Sequence, residues 1–303
     1  MKRSAACIIC NSGNNKVYRE LKSYSILRCS ECGLFFMDPI PDKDNAKDHY
    51  KNMDPEYQWK YKEQVLKRGK KILSIIKRFG KSGYLLDAGC GYGVFLDLAS
   101  RAGWKVSGVE LSEPASSFAK EHYGLDVISA DIRKAEFPDK TFDIITMQHI
   151  LEHMDDPIYV LKLIRRFLKD DGFLVIVVPN VSSLMGMCGS INWLCLAEDT
   201  HLFHYNKHTL KKLLAKSGFS VVKVKTFQWD IGRVLWAFKI LFFNPREKEL
   251  INVATIEGNC KNTKYSFLKT VIIKVLEPLN YFISNFGLGE EILVAAKKDV
   301  TND

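Results

Sequence analysis

The segment Asp87-Ala-Gly-Cys-Gly-Tyr-Gly follows an apolar stretch and has the residue types that hold a nucleotide-like ligand. Its glycines are Gly89, Gly91 and Gly93, and glycine at the end of a strand lets backbone N–H groups approach a ligand closely. A dinucleotide-binding motif would need its third glycine at position 94, where this chain has Val94. Asp87 would repel a phosphate and attract a cationic amino group. The motif therefore predicts a nucleotide-like ligand that carries a cationic amino group.

Two further acids follow the next two predicted strands. Glu110 comes directly after the strand Val106–Val109 and can accept hydrogen bonds from both hydroxyls of a ribose. Asp131 follows the strand at residues 127–128 and is placed to bond an adenine amino group. Because the carboxyl ends of parallel strands meet at one edge of a sheet, these acids and the glycine motif predict one nucleoside site.

Two Cys-x-x-Cys pairs with 18 residues between them stand near the N-terminus: Cys7, Cys10, Cys29 and Cys32. This spacing predicts a tetrahedral zinc site, and four thiolates leave no open coordination position, so its role would be structural. Residues 1–40 have too little apolar mass for a core of their own, and a metal would supply the missing folding free energy. A rubredoxin-like iron site uses similar ligands, so the metal stays open between zinc and iron. The alternative is four unrelated thiols.

The elements that must position these residues alternate between strands and helices beyond Gly83. This alternation predicts an α/β fold, a doubly wound parallel sheet with helices on both faces. A late strand, Ile292–Ala296, closes the sheet. Two apolar segments before it, Ile231–Phe243 and Tyr265–Phe286, are predicted helices that form a lid over the substrate. Packing in the core and contact with a membrane surface are the alternatives.

On these motifs the chain resembles class I S-adenosylmethionine (SAM)-dependent methyltransferases, over residues 84 to about 228. The segment Phe142–His153 is similar to the family's fourth-strand motif, and Gly172–Pro179 is similar to its fifth. The resemblance implies a seven-stranded Rossmann-like sheet with an antiparallel last strand, and SAM as the cofactor. It implies cofactor contacts at Asp87, Gly89, Gly91, Gly93, Glu110, Leu111, Asp131, Ile132 and Gln148.

The order of the parts resembles methyltransferases of bacterial surface-sugar and secondary-metabolite pathways. We predict a zinc-ribbon-like module over residues 1–40, a basic linker helix over 41–83, the SAM-binding core over 84–228, and a helical lid with the final strand over 229–303. The reaction expected is direct in-line transfer of the methyl group to a small-molecule acceptor. A hydroxyl of a sugar, nucleotide-sugar or other metabolite is the favoured acceptor.

Histidines beyond the fifth strand are the candidates for a general base, because histidine titrates near neutral pH. His201 and His204 are predicted to lie over the methyl group and to accept the proton of a hydroxyl acceptor. The alternative is that they hydrogen-bond within a loop and fix its shape. His208, at the start of the next helix, is interpreted as structural.

A second histidine cluster follows the fourth strand. His149, Glu152 and His153 have metal-ligand spacing, and the matching stretch of ubiquinone-pathway O-methyltransferases holds a divalent ion with glutamates and a histidine. His149 stands where those enzymes have a glutamate, and it is a further candidate for catalysis. The favoured alternative is a structural turn before Pro157.

The net charge of +9 belongs entirely to the N-terminal part, since residues 1–83 hold 18 basic and 9 acidic side chains. This basic region could attract an anionic nucleotide-sugar, or it could be a solvated helix face. With Tyr50, Tyr57, Trp59 and Tyr61 among its lysines, it could also bind RNA, which makes an RNA methyltransferase the alternative function. A non-catalytic SAM-binding scaffold or sensor is the third. The oligomeric state stays open.

The sequence favours a cytoplasmic location, with a peripheral contact at the inner face of the membrane as a second interpretation. Its most hydrophobic stretch, Phe267–Phe286, is interrupted by three charged residues and a proline. No signal-peptide pattern follows Met1. Four scattered cysteines beside the two pairs suit a reducing compartment better than a disulfide framework.

Overall fold

A computed structural model describes residues 6–40, 55–80, 82–189, 200–227 and 278–299. The strands are β1 (Asn15–Glu20), β2 (Ser25–Cys29), β3 (Phe35–Asp38), β4 (Tyr84–Ala88), β5 (Lys105–Glu110), β6 (Val127–Ser129), β7 (Phe142–Gln148), β8 (Leu168–Pro179), β9 (Phe203–His204), β10 (Phe219–Phe227) and β11 (Glu291–Lys298). The α-helices are α1 (Pro55–Ile76), α2 (Val94–Arg101), α3 (Glu113–Tyr123), α4 (Pro157–Phe167), α5 (Leu184–Gly189), α6 (Lys207–Lys216) and α7, whose described residues are 278–285. Two 3₁₀ turns cover Ile132–Lys134 and Leu151–His153.

The larger sheet is mixed and seven-stranded, in the order β10-β11-β8-β7-β4-β5-β6. The neighbours β4–β5, β5–β6, β4–β7 and β7–β8 are parallel. The prediction of a doubly wound α/β sheet is therefore confirmed. The chain order reverses between β4 and β7, and in sheets of this kind ligands bind at the carboxyl ends of the strands beside such a reversal.

The central strands form because they are apolar on both faces. Leu85, Leu86 and Ala88 of β4 are fully buried, as expected for a parallel strand covered by helices on each side. The following helices begin at local sequence signals. Ser112 caps α3 and Asp156 caps α4, each with proline in the first turn.

The smaller sheet is antiparallel, in the order β1-β2-β3-β9. Its first three strands come from the N-terminal segment that contains the four cysteines, residues 6–40, which we call the head. The buried side chains of the head include Ile26, Leu34 and Phe36. Strand β9 lies far along the chain and was not predicted as part of the head. The head therefore does not rely on its own residues alone, because residues 203–204 complete its sheet.

The chain divides into two compact units. One comprises residues 1–39, 178–210 and 224–293, and the other comprises 40–177, 211–223 and 294–303. Helix α1 belongs to the second unit and packs on α2, where Gly69 allows a close approach to Leu98. The predicted lid helix Ile231–Phe243 lies outside the described residues. Residues 265–277 of the second predicted lid helix also lie outside them. No helix among the described residues is both long and apolar enough to cross a membrane.

Candidate functional site

The glycine loop after β4 has a backbone that only glycine adopts without strain. Gly89, Gly91 and Gly93 have φ angles of 85°, 54° and 77°, in the left-handed region. A Cβ on Gly93 would lie 2.7 Å from Leu125 Cδ1 and 2.8 Å from Ala119 Cβ. The loop between β4 and α2 therefore requires glycine at these positions.

Glu110, at the carboxyl end of β5, joins this loop to the start of α3. Its Oε2 accepts a hydrogen bond from the Gly91 N–H at 2.8 Å, and its Oε1 accepts one from the Ser112 N–H at 2.8 Å. Burial raises the pKa of Glu110, and the N–H groups of Ser112 and Gly91 limit that rise. The Leu111 N–H lowers the pKa in the same way, and the two oxygens of a carboxylate together have about four lone pairs, so Glu110 can still accept a hydrogen bond from a ligand.

Asp87 lies at the same sheet edge with only 2% of its surface exposed. Its Oδ1 accepts a hydrogen bond from Thr146 Oγ1 at 2.5 Å, and Gln148 Nε2 lies 3.5 Å from the same oxygen. Burial raises the pKa of Asp87 to about 7, and the nearby charge of Glu110 acts in the same direction. A buried carboxyl of this kind favours a cationic neighbour, which would stabilise its ionised form.

Asp131 follows β6 and caps the 3₁₀ turn that begins at Ile132. Its Oδ1 accepts hydrogen bonds from the N–H and the Nε of Arg133, both at 2.9 Å, and Arg133 Nη1 donates to Asp155 at 2.6 Å. Burial opposes ionisation of Asp131, but its bonds to Arg133 hold the pKa below the usual value. Asp131 is therefore an ionised, anchored acid.

Leu111 differs from its neighbours in this region. It is 37% exposed, although Glu110 before it and Ser112 after it are both buried. An exposed leucine directly after the ribose candidate Glu110 offers an apolar surface to a flat ligand group. Ile132, the second apolar residue predicted to contact the cofactor, is buried.

The end of β7 carries the second histidine cluster. His149 has a left-handed backbone with φ 55°, and its N–H donates to the Val177 carbonyl at 2.9 Å. Its Nδ1 lies 3.3 Å from Oε1 of the buried Glu152. His153 ends the adjoining 3₁₀ turn. This geometry suits a structural turn, and the divalent ion stays a prediction.

The other histidines lie around β9, in the unit that contains the head. His204 is in β9 and His201 precedes it, and both side chains are buried with ring centroids 6.2 Å apart. His208 lies in the first turn of α6, where its backbone N–H donates to Asn206 Oδ1 at 3.0 Å. The sequence interpretation of His208 as a helix-start residue agrees with this position.

The four cysteines of the head converge as their spacing predicted. The Sγ atoms of Cys7 and Cys32 are 3.4 Å apart, those of Cys10 and Cys29 are 3.5 Å apart, and all four lie within 4.8 Å of one another. A zinc ion with Zn–S bonds of about 2.3 Å has S···S distances of about 3.8 Å in a tetrahedron. The four thiols are free of disulfides. Their arrangement fits a tetrahedral metal.

Burial and backbone N–H groups act in opposite directions on the thiols of the cluster. Burial raises the pKa values of Cys7 and Cys32. Burial also disfavours the Cys29 thiolate, but the N–H groups of Cys32 and Glu31 donate to its sulfur and lower its pKa to about 7. A metal ion would hold all four sulfurs as thiolates against the effect of burial.

A known protein family matches the part of the chain that contains the glycine loop and Glu110. Residues 57–224 match the family described as methyltransferase domain, which is more than half of the 303-residue chain. The chain belongs to this methyltransferase family. The match begins inside α1, so it includes most of the helix that the sequence interpretation treated as a linker.

Curated relatives of this methyltransferase include ubiquinone biosynthesis O-methyltransferases. The protein from Actinobacillus pleuropneumoniae is 32% identical over 112 residues, which are 34% of this chain and 47% of that protein. The protein from Thiobacillus denitrificans is 33% identical over 103 residues, which are 32% of this chain and 44% of that protein. The chain therefore spans slightly less than half the length of these relatives.

Solved structures share the fold. A SAM-dependent methyltransferase from Thermotoga maritima superposes with a TM-score of 0.55 at 18% identity, covering 84% of this chain and 100% of that chain. One from Archaeoglobus fulgidus has a TM-score of 0.52 at 24% identity, covering 81% and 100%. At these identities the likeness concerns the fold alone.

Within the methyltransferase unit that contains residues 40–177, the predicted cofactor residues follow four neighbouring strands. The glycine loop follows β4, Glu110 ends β5, Asp131 follows β6 and Gln148 ends β7. Thr146 was missed, although it binds Asp87. A polar residue inside the apolar run of β7 was the available signal.

Proposed function

We propose that this methyltransferase binds SAM and transfers its methyl group to a hydroxyl of a small molecule. The observation that carries the proposal is the bridge that Glu110 makes between Gly91 and Ser112, at the carboxyl ends of β4 and β5. This bridge fixes a carboxylate and a glycine loop together beside the reversal of strand order. The curated relatives named O-methyltransferases support a hydroxyl acceptor.

Each cofactor residue has a proposed part in binding. The buried carboxylate of Asp87 would attract the ammonium group of SAM, and the free lone pairs of Glu110 would accept the ribose hydroxyls. Leu111 would lie against the adenine, and Asp131 with Ile132 would line the edge of that ring. Gly89, Gly93 and Gln148 would complete the enclosure. Bound SAM supplies a methyl group activated by a sulfonium.

The proposed chemistry is in-line attack by the acceptor oxygen, with a histidine as the base. His201 or His204 would accept the hydroxyl proton at an imidazole nitrogen as the oxygen attacks. His149 is a weaker candidate, because its Nδ1 lies close to Glu152. Holding both reactants in line accounts for most of the rate enhancement, and the base adds to it.

We infer that the acceptor is a sugar, nucleotide-sugar or comparable metabolite. The excess positive charge of residues 1–83 supports an anionic substrate, because a positive surface raises the local concentration of anions. To test the acceptor class, the protein is incubated with SAM and either dialysed or undialysed cell extract, and S-adenosylhomocysteine is measured. Product that forms only with the undialysed extract supports a small molecule. Equal product with dialysed extract contradicts it.

We further propose that the four cysteines hold one structural zinc ion. Metal analysis of the purified protein should find about one zinc per chain. Cys29→Ser should lose the metal and reduce the thermal stability of the head, because the ion supplies folding free energy there. Cys260→Ser, outside the two pairs, is the matched control and should keep the metal. Protein that carries no tightly bound ion would refute this proposal, and iron in place of zinc would correct the metal.

The affinity for SAM should depend on pH through Asp87. Because the folded-state pKa is raised to about 7, cofactor-free protein gains a proton at this group on folding, and its stability falls as pH rises from about 4 to about 7. A bound ammonium group favours the ionised carboxylate. We therefore expect SAM affinity, measured by calorimetry, to rise about tenfold between about pH 5.5 and pH 7.

Two variants separate Asp87 from other titrating groups. Asp87→Asn should bind SAM more weakly, with an affinity that changes by less than about twofold over the same pH range. Asp139→Asn removes an exposed carboxylate that pairs with Arg166, and it should keep the full pH dependence. A wild-type affinity that does not change with pH would remove the ammonium role from Asp87.

A further inference from the structure

The metal cluster of the head is joined by short backbone links to the strand that carries His204. Cys29 ends β2, and its N–H donates to the Leu34 carbonyl at 2.9 Å. The Gly33 N–H donates back to the Cys29 carbonyl at 3.0 Å, with Gly33 at φ 80°. This tight turn contains Cys32 and leads directly into β3 at Phe35. The backbone of this turn therefore connects the second cysteine pair directly to the start of β3.

Strand β3 in turn holds β9. Phe35 pairs with His204 and Phe36 pairs with Phe203 in antiparallel register. The Met37 N–H donates to the Leu202 carbonyl at 2.9 Å, which extends the pairing toward His201.

The side chains around this junction exclude water. Phe36, Leu202 and Phe203 are buried, and Tyr205 after β9 is fully buried. The Tyr205 carbonyl accepts a hydrogen bond from the Val181 N–H at 2.9 Å. A strand of two residues has little stability by itself, so its order depends on these neighbours.

We propose that the four-cysteine head positions β9, the strand that contains His204, and that the metal bound to the head keeps residues 201–205 in one conformation. Phe36 and Met37 are then positioning residues that act through β9. The consequence for catalysis rests on the proposed role of His201 or His204 as the base. The coupling between the metal and β9 is independent of that role, because the cysteines and β9 belong to one compact unit and are linked through β3.

The proposal differs from a recognition role for the head. A module used only for substrate recognition could lose its ordered structure without any change in residues 201–205. A positioning module transmits the loss of metal along β2, β3 and β9, because each strand is hydrogen-bonded to the next.

Hydrogen exchange of the full-length protein tests the coupling directly. Metal-loaded and chelator-treated protein are compared by mass spectrometry. We expect the amides of residues 202–205 and 35–38 to exchange about tenfold faster or more after metal removal. The amides of β4 and β5 should keep their protection, and the calorimetric affinity for SAM should stay within about twofold.

Phe36→Ala tests the link without removing the metal, in case chelation unfolds the whole protein. It should retain the bound ion, raise exchange at 202–205, and lower kcat while the KM for SAM is unchanged. Val17→Ala, which truncates an exposed side chain of β1, is the matched control and should change none of these.

The outcomes separate the coupling from the proposed base. Faster exchange at residues 202–205 in Phe36→Ala supports positioning by the head. Unchanged exchange there in both the metal-free protein and Phe36→Ala overturns it. Faster exchange with unchanged kcat supports the coupling and counts against a histidine base.

Discussion

Replacing Glu110 with alanine should weaken SAM binding by about 100-fold or more. The variant loses the two acceptors proposed for the ribose hydroxyls, and hydrogen bonds to a charged group contribute about 1.5–3 kcal/mol each. It also releases the Gly91 and Ser112 N–H groups, so the glycine loop loses its tie to α3. Isothermal calorimetry with SAM measures the effect.

The control for this prediction is Glu113→Ala. Glu113 lies three residues further on, in the first turn of α3, and its side chain is exposed. Its removal changes the charge by the same amount and should leave the affinity within about twofold. Glu110→Gln, which keeps one acceptor oxygen, should fall between the two. An affinity of Glu110→Ala equal to that of wild type would defeat the assignment of the cofactor site.

The double variant His201→Ala/His204→Ala should lower the turnover number by about 100-fold or more, the range expected when a general base is removed. Its affinity for SAM should stay within about twofold, since neither histidine belongs to the proposed cofactor site. The single variants show which imidazole accepts the proton. The pH dependence of kcat should lose the limb that reports this histidine.

His208→Ala is the matched histidine control, because His208 is exposed in the first turn of α6. It should retain the wild-type turnover number. If the double variant and both single variants stayed within about twofold of wild type, a histidine base at these positions would be ruled out. The acceptor would then lose its proton to another group or to water.

Local sequence signals were sufficient to predict much of the methyltransferase fold. Helix α6 spans Lys207–Lys216, so His208 lies at the start of a helix, as the sequence indicated. Gly89, Gly91 and Gly93 were predicted to let the backbone approach a ligand at the end of a strand, and all three follow β4 with positive φ. These features depend on capping, on periodicity and on the special backbone of glycine, which act over a few neighbouring residues.

Features that depend on distant residues were not predictable in the same way. The pairing of Phe35 with His204 joins positions far apart in the chain, and a two-residue strand has no periodicity to detect. The hydrogen bond from the Gly91 N–H to Glu110 was also missed. The expected contact with ribose indicates an acid at position 110, but it does not indicate which backbone N–H groups bind that acid. Asp131 was predicted to bond an adenine amino group, and its ion pair with Arg133 was not anticipated.

Supplying the purified protein with methyl-labelled SAM and fractionated cell extract identifies the class of molecule that receives the methyl group. Label is then measured in small molecules, glycolipid, RNA and protein, with Glu110→Ala protein as the blank. We expect label in the small-molecule or glycolipid fraction, and none with the variant. Label in RNA would contradict the small-molecule acceptor and assign recognition to the basic N-terminal region. No label in any fraction, with SAM binding intact, would contradict methyl transfer and leave a SAM-binding scaffold or sensor.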